Sequence, residues 1–264
     1  MLGKLIKHEF RATRRIMLPL MALVLLLSVF AGFAACGLED MSGINDMQFM
    51  RTLYFIILFS FFLILFAVCV VTFVLMIQRF YLSLLHDEGY LSMTLPASVD
   101  EHILSRLIVS VVWFAAVALL CMTALLVVLT IGSPTEFTGL GEMIRDLPGL
   151  VESGKMGEVL CFLGEGAVMA FTGVCALCLQ CYCSMAIGCS ADDHKLLLSF
   201  VTYFLIGFGT TIINSNLFAL SGILLNSGEG FHLYLWLTAL LQACYAAAYY
   251  FAARWFLKNK LNLA

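Results

Sequence analysis

Six long apolar runs, separated by short polar interruptions, set the pattern of this chain. They lie near Ile16 to Cys36, Leu53 to Ile77, Leu107 to Ile131, Val159 to Ile187, Leu196 to Leu225 and His232 to Leu257. Each is long enough to cross about 30 Å of hydrocarbon as a helix. The pattern therefore predicts an all-α, polytopic membrane protein with six transmembrane helices in a single domain over residues 1–264. Pro19 falls in the first turns of the first run, where a helix tolerates it.

The first fifteen residues follow a different rule. At about 100° per residue, Leu2, Leu5, Ile6 and Phe10 fall between about 140° and 280°, and Lys4, Lys7, His8, Arg11, Arg14 and Arg15 fall between about 320° and 80°. That division predicts an amphipathic interfacial helix with Lys4, Lys7, Phe10, Arg11, Arg14 and Arg15 at the membrane surface. A signal peptide begins with a similar basic stretch. Its apolar run is about 7 to 15 residues, however, and the run here is about twenty.

Composition agrees with the pattern. Of 264 residues 62% are hydrophobic and 12% charged, and the mean hydropathy is +1.02, which marks an integral membrane protein. The net charge of -3 and the lack of a basic patch with interleaved aromatics give no reason to expect a nucleic-acid partner. Most of the ten cysteines lie inside apolar runs and do not read as a disulfide framework. Cys175, Cys178, Cys181 and Cys183 point to about 0°, 300°, 240° and 80° on one helix, so they read as packing residues rather than a metal site.

Charge also orients the chain. With the amino terminus inside, the inner segments hold Lys4, Lys7, Arg11, Arg14, Arg15, Arg79, Arg106, Lys195, Arg254, Lys258 and Lys260, and the outer ones hold only Arg51, Arg145 and Lys155. Both termini are expected in the cytoplasm of a cell-membrane protein. The outer loop over residues 132–158 is acidic, with Glu136, Glu142, Asp146, Glu152 and Glu158.

The inner loop over residues 78–106 is the unusual polar stretch. Phe80, Tyr81, Leu82, Leu84 and Leu85 carry apolar surface past the end of the second run, and a helix continuing there needs a protein neighbour or the interface. Gly89 permits a sharp turn, and Pro96 biases Leu95 away from the helical region. Ser98 and Glu101 have capping-box spacing, which predicts a helix starting near Val99.

The series Asp87-Glu88-Gly89-Tyr90-Leu91, then Thr94-Leu95-Pro96-Ala97-Ser98 and a helix entering the next run, resembles the first cytoplasmic loop of permease subunits in the type-2 exporter class of ABC transporters. The amphipathic first segment and the six-span layout share the resemblance. It implies a dimer of permease copies or homologues that exports a substrate, energised by a separate ATP-binding subunit that carries the ATP and Mg. No cofactor is expected on this chain. It also implies that Asp87, Glu88, Gly89, Leu95, Pro96 and Ser98 couple to that partner, with the loop around Asp192 and Asp193 as a secondary contact.

Two further places carry polar residues in or near apolar runs. Glu165 is either within the bilayer margin, if the fourth span starts near Val159, or a loop residue, if the span starts near Ala167; the loop placement is the expectation. Asn214-Ser215-Asn216 divides the fifth run, which either folds back as a re-entrant helix over residues 217–225 or is one long tilted helix. Glu165, Asn214 and Asn216 are the candidate pathway residues. No phosphate-binding G-x-x-x-x-G-K-[ST] stretch and no H-E-x-x-H occurs, so catalysis by this chain is not expected. The alternative class is a stand-alone protein: an ion-coupled secondary transporter, or a membrane immunity or scaffold protein.

Overall fold

The computed structural model describes residues 2–40, 48–84, 98–132, 155–190, 194–224 and 228–259. Among them the regular elements are six α-helices: α1 (Leu2–Asp40), α2 (Gln48–Leu84), α3 (Val99–Gly132), α4 (Lys155–Gly188), α5 (Lys195–Leu224) and α6 (Gly228–Asn259). All six are long and apolar enough to cross a membrane. Helix is the outcome to expect, because a chain in lipid must satisfy each backbone N–H and C=O internally. The protein is thus an all-helical, six-span membrane protein.

Several boundaries differ from expectation. The amphipathic segment and the first span form one 39-residue helix that includes Pro19. Their difference survives in exposure: Lys4, Lys7, Arg11, Arg14 and Arg15 are exposed, whereas Leu2, Leu5 and Ile6 are half-buried. Helix also extends into both ends of the 78–106 segment. The re-entrant reading of 217–225 is corrected, since α5 runs without a break through Asn214-Ser215-Asn216. The reason is local: Ser215 Oγ and Asn216 Nδ2 both donate to the carbonyl of Ile212, at 2.8 and 2.7 Å, so these polar groups are satisfied without interrupting the helix.

The chain divides into two compact units. One comprises Phe10–Leu75 and Val112–Met156. In it α1 and α3 run parallel: Phe10 stacks on Trp113 with ring centroids 5.0 Å apart, and Trp113 Nε1 donates to Thr13 Oγ1 at 2.8 Å. Further along, a Cβ on Gly132 would lie 2.5 Å from the Cβ of Ala35. Only glycine allows that approach, and Met17, Val24, Ser28, Ala31 and Ala34 continue the buried stripe of α1.

The second unit comprises Met1–Glu9, Met76–Val111 and Gly157–Ala264, and α4 is its hub. Helix α5 packs antiparallel to α4, so close at Gly188 that a Cβ there would meet Ser199 Oγ and lie 2.6 Å from the Ser199 backbone nitrogen. Gln180 Nε2 donates to Tyr203 O at 3.3 Å, and Thr202 Oγ1, 2.7 Å from Leu198 O of its own helix, also lies 3.3 Å from Ser184 O. Helix α6 lies parallel to α4, with Thr172 Oγ1 donating to Gln242 Oε1 at 3.0 Å. His194, just before α5, has a left-handed φ of 54°.

Candidate functional site

Of the residues proposed for partner coupling, Asp87, Glu88, Gly89, Leu95 and Pro96 lie outside the described residues, as do Asp192 and Asp193. Ser98 is described and does what its spacing predicts. Glu101 N–H donates to Ser98 Oγ and Ser98 N–H donates to Glu101 Oε2, both at 3.2 Å, which closes a reciprocal capping box on α3.

Both ends of the 85–97 segment are rooted in the same unit. On the α2 side Phe80 is 0% exposed and stacks face to face on Tyr182 of α4, with centroids 4.0 Å apart and planes 7° from parallel. The Tyr182 hydroxyl is 2.8 Å from Ser110 Oγ of α3. The ring therefore joins the last turns of α2 to the first turns of α3 through α4. Phe80 thus has the protein neighbour that its apolar surface required.

On the α3 side two charged contacts add to this mount. Arg106 is buried, donates to His102 O at 3.0 Å, and its other terminal nitrogen is 3.8 Å from Glu9 of α1. Asp100 is gripped by α6: the Tyr250 hydroxyl donates to Oδ1 at 2.7 Å, and Arg254 lies 3.0 Å from Oδ2. A charge-assisted grip with one donor on each oxygen fixes direction as well as distance. The first turns of α3 are therefore tied to α1, α4 and α6.

Glu165 forms a second cluster, and its expected loop placement is corrected. It lies inside α4, in the third turn from Lys155. His232 Nδ1 is 2.6 Å from Glu165 Oε2, and Trp236 Nε1 donates to Oε1 at 3.0 Å. A carboxylate at the edge of an apolar span is costly unless its oxygens are occupied, and α6 occupies both. Phe162 and Phe231 stack beside it, with centroids 5.5 Å apart. Asn216 bonds instead within its own helix, to the carbonyl of Ile212.

At the proposed membrane-facing segment, Phe10 meets Trp113 rather than standing alone, and the five basic residues remain exposed. In the cysteine-rich stretch of α4, Cys178, Cys181 and Cys183 are buried in the packing. An open recess of about 460 Å³ lined by Leu38, Arg51, Thr52 and Phe55 lies between α1 and α2; Arg51 is its one charged side chain among the described residues.

Asp100, Tyr182, His232, Trp236, Tyr250 and Arg254 were not singled out by sequence as parts of these clusters. One signal was available. His232 and Trp236 are four residues apart, as are Tyr250 and Arg254, so each pair shares a helix face. Comparison of the chain with protein-family models, with curated proteins and with solved structures gives no match.

Proposed function

We propose that this chain is the transmembrane permease subunit of an ATP-driven exporter, two copies or homologues of which work with a separate ATP-binding subunit. The observation that carries the reading is the mount: the helices on both sides of the 85–97 segment are locked into one unit through Phe80, Tyr182, Ser110, Arg106 and Asp100. A segment that receives force from a partner needs roots tied to the bundle, because an untethered root would absorb the push before the spans moved. Nucleotide-driven closure of the partner would press on this segment and move α2 and α3 toward alternating access. The excess of Lys and Arg on the segments holding both termini supports a cytoplasmic location for them and for the coupling segment.

The test is co-purification with a co-encoded ATP-binding protein, followed by ATP hydrolysis in reconstituted membranes. Glu88→Lys is expected to abolish assembly or stimulation; normal assembly and stimulation in that variant would count against the reading. The Glu165–His232 pair favours a second reading, a stand-alone ion-coupled transporter, since ionisable groups at membrane depth mark ion pathways. Transport in vesicles without any ATPase, lost in Glu165→Gln, would select it.

A further inference from the structure

Helix α6 is held by two carboxylates, each gripped by residues i and i+4: Glu165 by His232 and Trp236, Asp100 by Tyr250 and Arg254. Tyr250 follows His232 by eighteen residues, and Arg254 follows Trp236 by the same step. Eighteen residues make five whole turns, so both grips lie on one stripe of α6, about 27 Å apart along its axis. No charged residue lies between His232 and Arg254. The two grips therefore bracket a stretch close to the hydrocarbon thickness of about 30 Å.

They are built differently. The Glu165 side chain is 14% exposed although its partner His232 is 43% exposed, and its other donor is the neutral indole of Trp236. The Asp100 side chain is 31% exposed, and its charged partner Arg254 is 45% exposed. An ion pair open to water is screened by salt and exchanges its partner for solvent at little cost. A carboxylate shielded at the membrane edge has no such substitute and stays bound.

We propose that the Asp100 grip is a catch that opens to free the root of α3, and that the Glu165 grip is the fixed pivot on which α6 remains held to α4. The inference rests on the coupling role proposed above, because load on the 85–97 segment reaches α3 through Ser98 and Asp100. It adds the contact that yields first and the one that does not.

The experiment uses the full chain alone in lipid nanodiscs, so its result does not depend on finding an ATPase. Amide hydrogen exchange is followed as salt rises from about 50 mM to about 1 M, where the screening length shortens to about 3 Å. Exchange at the start of α3 and the end of α6 is expected to speed up several-fold, while exchange around Glu165 and His232 stays unchanged. Asp100→Asn, which keeps an acceptor for Tyr250, should already be fast at low salt and lose the salt response. Glu165→Gln should leave that response intact. An equal response at both grips, or a response confined to the Glu165 end, would overturn the proposal even if a partner ATPase is found.

Discussion

The two units hold their helices together by different means. In the unit containing Phe10–Leu75 and Val112–Met156, contact is mostly fit: Gly132 against Ala35, Gly32 under Ile131, Gly37 against the Tyr54 ring, Phe10 on Trp113. There Trp113 of α3 donates a side-chain hydrogen bond to Thr13 of α1. In the unit containing Gly157–Ala264, hydrogen bonds or ion pairs join α1 to α3, α3 to α4 and α6, and α4 to α5 and α6. Lipid supplies no hydrophobic drive between helices, so each pair needs either close fit or polar bonds. Fit is lost all at once when a helix moves, whereas directional bonds can open singly. The roots of the 85–97 segment stand in the unit whose bonds can open singly, which suits a part that must move without coming apart.

The sharpest way to break that comparison is at Tyr182, where fit and polar bonding coincide. Tyr182→Ala removes both the stack on Phe80 and the hydroxyl beside Ser110, and should cost on the order of 3 kcal/mol or more. Thermal unfolding in nanodiscs would show it. Tyr182→Phe keeps the stack and should cost only about 1 kcal/mol. Equal losses from the two variants would mean that the hydroxyl, not the ring, carries the junction.

The close-fit unit has its own test in Gly132→Ala. The new methyl would sit 2.5 Å from the Cβ of Ala35, an atom that cannot swing aside, so the helices must part. A loss of about 1–3 kcal/mol is expected. Gly164→Ala is the control, because nothing lies within 4 Å of its Cβ position. There the change should be within about 1 kcal/mol, in the stabilising direction that helix propensity gives. A midpoint unmoved in Gly132→Ala would show that α1 and α3 do not depend on contact at that point.

Much of this architecture was legible in the sequence, and the misses share a cause. The six spans follow from run length alone, and the start of α3 follows from Ser98 and Glu101 because capping is settled within one turn. The need of Phe80 for a neighbour was readable too, but not that the neighbour is Tyr182, 102 positions along the chain. Glu165 was misplaced for the same reason: an acid between two glycines looks like a loop until His232 and Trp236, on another helix, are known to satisfy it. The polar Asn214-Ser215-Asn216 stretch left a break and a continuous helix both open, because sequence does not show that Ser215 and Asn216 bond back to Ile212. Span length and capping were readable; bonds that side chains make only once a helix has formed, back to Ile212 or across to α6, were not.

A smaller effect is expected at Trp113. Trp113→Phe keeps a ring against Phe10 but loses the bond to Thr13, and should cost about 1 kcal/mol in the same unfolding measurement. A loss near that of Gly132→Ala would make the hydrogen bond as important to this unit as its glycine contact, and would erase the distinction drawn between the units.

The least costly change separates the number of polar bonds from their strength. Gln242→Leu deletes the amide that accepts from Thr172, in the middle of the polar unit. The Thr172 hydroxyl has one proton, and the carbonyls of Val168 and Met169, each 3.0 Å away, can take it when the amide is gone. Interhelical side-chain bonds in membranes average about 0.6 kcal/mol for that reason: the broken state finds other partners. Gln242→Leu should therefore lower stability by about that much. A loss several times larger would mean that the polar unit is held by a few strong bonds, and then single bonds could not open without unfolding it. A loss near the average fits a unit held by many weak, individually releasable contacts, the condition that a moving root for α3 requires.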